Sequence, residues 1–229
     1  MPLSLRAREI PPRVRIIKPG ISARLPFCEM IIRVMNAADF TPGDFERMYE
    51  AMSPGRRERA DGYLNPGART LCILADHCIR TAVSEYCGAP PGEIVFGRSQ
   101  NGKPFVEGAD FHINYSHSGS FAAAAVSEYP VGIDIETRGR TDLRSTRKFA
   151  TENELAYIGD SPLNFLKIWT LKEAHFKCTG EGLAGNLGSV EFSPDGISTV
   201  AAYGGFSCST EVTDEYVLSV CEYKNESPD

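Results

Sequence analysis

The chain has 229 residues, of which 42% are hydrophobic and 24% charged, and its net charge is −6 at pH 7. These values are typical of a soluble globular protein with one sizeable domain or two small ones. No apolar run reaches the roughly 18 residues that a membrane-spanning helix needs, and the N-terminus lacks the apolar core of a signal peptide, so we expect a cytoplasmic protein without a membrane partner. The acidic balance argues against broad affinity for nucleic acids.

Sulfur and imidazole ligands show no metal-binding pattern. The seven cysteines are odd in number and are never spaced C-x-x-C, and the four histidines form no pair with metal-ligand spacing. We therefore expect reduced, mostly buried thiols, and we expect any metal to be bound by oxygen. The cysteines are Cys28, Cys72, Cys78, Cys87, Cys178, Cys208 and Cys221.

The N-terminal segment differs in composition from the rest. Residues 1–29 combine prolines with six basic residues and have little apolar surface, which predicts a disordered basic tail. Helical and strand patterns then occur on both sides of residue 127. This distribution predicts two mixed halves, residues 30–127 and 128–229.

The first half begins with a predicted strand at 30–34 and a helix that starts at Thr41-Pro42. A second helix starts at Ser53-Pro54, and three arginines at positions 56, 57 and 59 crowd its first turns. Because cations oppose the helix dipole there, these arginines form either a solvated basic face or a site for an anion.

A long helix is predicted from Ala68 to Cys87, ended by Gly88. Strands are predicted at 94–96, 103–106, 111–115 and 121–126. The polar sequence Ser116-His117-Ser118-Gly119 is predicted to begin the loop that follows the third of these strands.

The sequence V-G-I-D-I-E at residues 131–136 alternates strictly. Alternation places the apolar residues on one face of a strand, and Asp134 and Glu136 side by side on the other. Adjacent carboxylates repel each other unless a cation lies between them, and Mg²⁺ prefers such oxygen ligands. The alternative is the solvated face of an ordinary strand.

The second half contains a predicted helix at 152–158 with Thr151 as its N-cap, and a longer one at 164–179. On the longer helix Glu173 and Lys177 lie one turn apart at the border of the apolar face, and Lys172 falls inside that face. Lys172 therefore either has a buried partner or extends its ammonium to the surface. Strands are predicted at 189–192, 198–203 and 216–220.

Three motifs occur in order: Ser116-His117-Ser118, Gly132-Ile133-Asp134-Ile135-Glu136, and Trp169-x-x-Lys172-Glu173-Ala174-x-x-Lys177. With them the chain resembles the 4′-phosphopantetheinyl transferases of the surfactin-synthetase-activating (Sfp) type, in the branch named for the Trp and Lys-Glu-Ala residues. The resemblance implies an α+β fold of two similar halves with pseudo-twofold symmetry, and coenzyme A bound in the cleft between them.

The resemblance also implies roles for individual residues. Asp134, Glu136 and Glu173 would bind Mg²⁺, and Glu173 and Lys177 would be catalytic, Glu173 as general base and Lys177 near the pyrophosphate. The implied coenzyme A-binding residues are Arg56 and Arg59 at the 3′-phosphate, Ser116 and His117 at the nucleotide phosphates, and Arg69, Thr70, Lys103 and Lys172.

The implied reaction transfers the 4′-phosphopantetheine arm of coenzyme A to a serine of an apo acyl or peptidyl carrier protein and releases 3′,5′-ADP. We expect a monomer that uses Mg²⁺. One alternative is a Mg²⁺-dependent phosphohydrolase acting on coenzyme A or a nucleotide. Another is a catalytically silent module that binds coenzyme A or a carrier.

Overall fold

The computed structural model describes residues 14–17, 30–139, 143–180, 187–192, 201–203 and 205–224. These residues form ten strands and five α-helices. The strands are β1 (Val14–Ile17), β2 (Met30–Asn36), β3 (Phe96–Arg98), β4 (Pro104–Val106), β5 (His112–Ser118), β6 (Phe121–Ser127), β7 (Val131–Thr137), β8 (Ala201–Tyr203), β9 (Phe206–Val212) and β10 (Tyr216–Tyr223). The helices are α1 (Pro42–Ala51), α2 (Pro54–Asp61), α3 (Pro66–Cys87), α4 (Glu152–Ile158) and α5 (Pro162–Thr179).

The two halves share the order of three strands, β2-β6-β5 in the first and β7-β10-β9 in the second. The first sheet runs β1-β2-β6-β5 and the second β7-β10-β9-β8, while β3 and β4 form a separate hairpin. In each half a first strand leads into helices and then a hairpin, whose last strand returns antiparallel beside the first: β6 beside β2, and β10 beside β7. This repetition confirms the prediction of an α+β protein with two similar halves.

The two sheets pack face to face. Ile32 and Ala123 of the first sheet and Ile133 and Leu218 of the second belong to one buried cluster. Helices α3 and α5 cover the outer faces, each with a core of its own. The predicted alternation in β7 is confirmed, because its isoleucines face the other sheet and Asp134 lies on the side of α5.

Gly132 allows α5 to lie directly on the backbone of β7. A Cβ atom at this position would be 2.0 Å from the carbonyl oxygen of Ala174 and 2.4 Å from the amide nitrogen of Cys178. Since both atoms belong to the helix backbone, only glycine permits this approach. The contact fixes how far along β7 each residue of α5 lies.

Three predicted helix-end signals, Thr41, Thr151 and Gly88, are confirmed, but α3 and α5 each begin two residues before the predicted start. Thr41 and Thr151 each form a capping box with the residue three positions on, and Gly88 and Gly180 end α3 and α5 in the left-handed conformation. No helix in the described part of the chain is long and apolar enough to span a membrane.

Several predicted elements need correction. Ser116, His117 and Ser118 belong to β5 rather than to a loop, because they pair with β6. Residues 189–192 contain no strand, because Ser189 ends a 3₁₀ turn at Leu187–Ser189 and residues 190–192 do not pair. Strand β9 was not predicted at all. Of the predicted strand at 198–203, only the part at 201–203 lies within the described residues, where it forms β8.

Within residues 1–29, for which the sequence predicts disorder, residues 14–17 form β1, parallel to β2 at the edge of the first sheet. The other residues of that segment lie outside those described. The prediction that all cysteines are reduced is wrong for one pair, since Cys208 and Cys221 form a disulfide. They lie opposite each other on β9 and β10, a relation set by strand register that no spacing rule reveals.

We expect Gly132→Ala to lower the free energy of unfolding by about 1–3 kcal/mol, because the added methyl group meets backbone atoms that cannot rotate away. Urea unfolding would measure the change. Gly92→Ala is the control, since a Cβ there has nothing within 4 Å. Equal stability of the two variants would contradict the close contact between α5 and β7.

Candidate active site

The first two motifs meet along a seam between β5 and β7. The Asn114 side-chain oxygen accepts a hydrogen bond from the Ile133 amide at 3.1 Å. Two residues on, Ser116 donates to Asp134 Oδ1 at 2.7 Å, and two further on, Ser118 donates to Glu136 Oε2 at 2.6 Å. Because side chains alternate on both strands, every second residue of β5 reaches β7.

The third motif reaches the same seam from α5. Lys177 Nζ lies 2.6 Å from Asp134 Oδ1 and 3.1 Å from Ser116 Oγ. Asp134 is 4% exposed and Glu173 is 9% exposed. Asp134 Oδ2 and Glu173 Oε1 are buried and have no hydrogen-bond partner among the described residues. Unpaired carboxylate oxygens are costly to bury, so their presence here fits the binding of a hard cation.

The carboxylates also disturb one another's protonation. Burial raises the pKa of Glu173 to about 7, with Asp134 and Glu136 adding to the shift and Lys177 opposing it. Burial also raises the pKa of Glu136, and Asp134 adds to this, whereas hydrogen bonds from Ser118 and Trp169 oppose it. Both shifts have burial as their main cause and repulsion between the acids as a second one. Among the described residues, no three His, Cys, Asp or Glu side chains lie so that they could hold a metal ion as they stand.

Cations from both halves lie near His117. Partial burial lowers the pKa of His117, and the charges of Lys177, Arg56 and Arg59 lower it further. The imidazole is therefore neutral near pH 7. The sequence predictions of Arg56, Arg59, Ser116 and His117 thus converge on one neighbourhood with Lys177.

Four residues of this neighbourhood were not found from the sequence: Arg98, Tyr115, Asp76 and Arg80. Arg98 donates to the Tyr115 hydroxyl at 3.1 Å, and Arg56 donates to the same oxygen at 3.4 Å. Asp76, which is 2% exposed, accepts from Arg56 at 3.0 Å and from Arg80 at 2.7 Å. Asp76 therefore compensates part of the arginine crowding on α2, and only the fold brings these residues together.

Lys172 does not belong to this neighbourhood, which corrects its assignment to coenzyme A binding. Its side chain is fully buried, and Nζ lies 2.7 Å from Glu154 Oε2. It also donates to the carbonyl oxygens of Phe149 and Val190, at 2.9 and 2.7 Å, and to that of Leu187. Its buried charge thus has a partner inside the second half and does not reach the surface.

The looser assignments to coenzyme A, Lys103, Arg69 and Thr70, stay predictions. Lys103 donates to the Cys178 carbonyl at 2.7 Å, near the C-terminus of α5. Arg69 binds Asp61 at 3.2 Å and lies over the Tyr49 ring, and Thr70 donates to the Pro66 carbonyl. Arg69 and Thr70 line a groove of about 400 Å³ between α1 and α3, whose lining includes none of the three carboxylates.

Comparison with known families agrees with this geometry. The model of the 4′-phosphopantetheinyl transferase superfamily matches residues 130–221, and the model described as 4′-phosphopantetheinyl transferase, N-terminal, matches residues 40–129. The two matches meet in the turn between β6 and β7. The chain belongs to the 4′-phosphopantetheinyl transferase family and is an enzyme of that class.

Individual relatives define the type more closely. A 4′-phosphopantetheinyl transferase of Bacillus subtilis is 30% identical over 78% of this chain and 85% of its own length. Sfp of Bacillus subtilis strain 168 is 29% identical over 80% and 88%, and psf-1 of Bacillus pumilus is 36% identical over 60% and 62%. The chain is therefore a member of the Sfp type.

We expect Lys172→Met to lower the free energy of unfolding by about 3–5 kcal/mol, because it leaves the buried Glu154 carboxylate unpaired. Chemical denaturation would measure it, and Lys167→Met on the same helix is the control, expected within about 0.5 kcal/mol of wild type. A stable Lys172→Met protein that had lost only coenzyme A affinity would restore the sequence-based assignment.

The raised pKa of Glu173 predicts a pH-dependent stability in protein without added metal. Between the ordinary carboxyl pKa of 4.5 and the folded value of about 7, the folded state binds more protons than the unfolded state. The Glu173 contribution to stability is therefore present at low pH and is lost as the pH rises through 7. Melting temperatures at pH 5.5 and 8 should show this loss in wild type, and a smaller loss in Glu173→Gln; identical pH dependence would contradict it.

Proposed function

We propose that this enzyme transfers the 4′-phosphopantetheine arm of coenzyme A to a serine of an apo acyl or peptidyl carrier protein and releases 3′,5′-ADP. One observation carries the proposal: a single carboxylate, Asp134, accepts hydrogen bonds from both Ser116 and Lys177. All three motifs of the chain thereby meet at one point between the two halves. Membership of the family supports the same reaction.

The cations of the first half supply the binding of the nucleotide. Arg56, Arg59 and Arg98 form a positive neighbourhood suited to the 3′-phosphate and the diphosphate of coenzyme A, and His117 lies beside them as a neutral hydrogen-bonding group. Two guanidinium groups share the Tyr115 hydroxyl, which holds them close together. We therefore add Arg98 to the coenzyme A-binding residues and leave Lys172 out.

The carboxylates supply a place for Mg²⁺. Asp134, Glu136 and Glu173 would hold the ion, since Asp134 Oδ2 and Glu173 Oε1 are buried and unpartnered. When bound, Mg²⁺ neutralises the diphosphate charge on which phosphoryl transfer depends.

The residues of α5 then act on the transferred groups. Glu173 takes the proton of the carrier serine, directly or through a water molecule, as the serine oxygen attacks phosphorus. The bond between phosphorus and the oxygen of the leaving 3′,5′-ADP breaks. Lys177, one turn on, stabilises the charge of that leaving group.

The partner and the setting stay predictions. We expect an apo carrier protein as acceptor, no nucleic-acid partner, and a monomer that works in the cytoplasm. The net charge of the chain is −6 at pH 7, which disfavours the binding of negatively charged nucleic acid.

A mass spectrum tests the reaction. Enzyme, MgCl₂, coenzyme A and an apo carrier protein should give a carrier heavier by one phosphopantetheine group. Free 3′,5′-ADP without a modified carrier would favour the phosphohydrolase, and no change would favour the binding module.

Glu173→Gln should lower the turnover number by a factor on the order of 10² while the protein stays folded, because the amide cannot accept the proton of the carrier serine. Steady-state kinetics would measure the turnover number, and a loss of only a few-fold would show that Glu173 is neither the base nor an essential ligand.

The arginine assignment predicts a substrate-dependent loss. Arg56→Ala should lower kcat/KM for coenzyme A by about 10- to 100-fold, and by much less for dephospho-coenzyme A, because a charge-assisted hydrogen bond is worth about 1.5–3 kcal/mol. Steady-state kinetics with both substrates would measure it. Arg47→Ala is the control, since that arginine is on the exposed side of α1 and pairs with Asp44. Equal losses for the two substrates would show that Arg56 acts on the fold or on the carrier.

A further inference from the structure

Three arginines, one aspartate and one tyrosine form a chain of hydrogen bonds in the first half. The Asp76 carboxylate, which is 2% exposed, accepts from Arg80 at 2.7 Å and from Arg56 at 3.0 Å. Arg56 also donates to the Tyr115 hydroxyl at 3.4 Å, and Arg98 donates to the same oxygen at 3.1 Å. The chain therefore runs from a buried ion pair to an exposed arginine.

The charges along this chain do not balance. Three guanidinium groups lie along it against the single carboxylate of Asp76, so two positive charges are in excess. Among the described residues, Arg98 has no carboxylate partner of its own. A phosphate monoester carries a charge of about −1.5 to −2 at pH 7, which is more than either phosphate of a diphosphate diester carries. The excess of charge thus matches a terminal phosphate group best.

The Tyr115 hydroxyl still has a proton to donate. Its oxygen accepts from two guanidinium groups, which themselves have no acceptor atom. In the described part of the chain, no contact of Tyr115 uses this hydroxyl as a donor. A phosphate oxygen beside the two arginines would accept that proton, and a hydrogen bond to a charged acceptor is stronger than one between neutral groups.

Arg98 is held in place although it is exposed. Its Nη1 donates to the Gly102 carbonyl at 2.7 Å, in the turn between β3 and β4. The next residue, Lys103, joins this turn to α5 through the Cys178 carbonyl. Because Arg98 has contacts at both Gly102 and Tyr115, its side chain loses less conformational entropy when an anion binds.

We propose that Tyr115 determines the preference of this enzyme for the 3′-phosphate of coenzyme A: its hydroxyl holds Arg56 and Arg98 together and donates its own proton to that phosphate. The 3′-phosphate is the terminal phosphate monoester of coenzyme A. The inference rests on the proposed function, in which coenzyme A is the substrate. It adds a residue that distinguishes coenzyme A from dephospho-coenzyme A.

The test measures nucleotide binding rather than transfer. Isothermal titration calorimetry gives dissociation constants for 3′,5′-ADP and for adenosine 5′-monophosphate (AMP), which differ only in the 3′-phosphate. Wild type should bind 3′,5′-ADP more tightly. In Tyr115→Phe we expect 3′,5′-ADP to bind about 10- to 100-fold more weakly and AMP to bind within about twofold of wild type, because the lost hydrogen bond has a charged acceptor.

Arg98→Ala and the double variant test whether the two side chains act together. Arg98→Ala should weaken the binding of 3′,5′-ADP but not of AMP. Because Tyr115 positions Arg98, the double variant should lose less affinity than the product of the two single losses. Tyr157→Phe is the control. It removes a hydroxyl from α4 in the second half, where the described hydrogen bond of Tyr157 uses its carbonyl, and it should leave both constants unchanged.

The outcomes separate the inference from the function it rests on. A wild type that binds 3′,5′-ADP and AMP equally overturns the inference, whereas the mass spectrum of the carrier judges the transfer reaction independently. A Tyr115→Phe protein that keeps the wild-type ratio of the two constants overturns the role of Tyr115. Equal weakening of both nucleotides also overturns it, because a purely structural loss would give that result. Single losses that multiply in the double variant would show that Tyr115 does not position Arg98. A wild type that binds neither nucleotide overturns the inference together with the proposed coenzyme A site.

Discussion

The hydrogen bonds between β5 and β7 are the contact on which the site depends. β5 is the edge strand of the first sheet and β7 is the edge strand of the second. Side chains of β5, rather than backbone hydrogen bonds between the strands, join these two edges. The hydrogen bond from Ser116 to Asp134 is the middle one of the three. Because buried polar groups must be paired, this seam fixes the relative position of the two halves.

The position of α5 adds the second requirement. Its backbone lies on Gly132. The buried ion pair between Lys172 and Glu154 joins it to α4. The helix therefore has little freedom to slide or rotate, and Glu173 and Lys177 are presented to β7 from a rigid element. Lys172, although it belongs to the third motif, thus holds α5 in place and thereby positions Glu173 and Lys177.

Charge is distributed unequally across the seam. The second half contributes carboxylates with unpaired, buried oxygens, and the first half contributes arginines held by Asp76 and Tyr115. A ligand with several phosphates and a divalent cation satisfies both sides at once, because the cation pairs with the acids and the phosphates with the arginines. This distribution of charge supports the proposed binding of coenzyme A and Mg²⁺.

Local sequence patterns are sufficient to place side chains within single strands and helices. Alternation in β7 separates Asp134 from the core, helical spacing stacks Glu173 and Lys177, and threonine and glycine signals mark the helix ends, since each depends only on neighbours within one turn or strand. The resemblance of three motifs identified the family.

Which side chains share a hydrogen-bond or ion-pair partner depends on the tertiary structure. Arg98 reaches Arg56 through Tyr115, Lys172 turns inward to Glu154, and two cysteines meet across β9 and β10. Those pairings depend on strand register and on the packing of elements far apart in the chain, which no local pattern encodes.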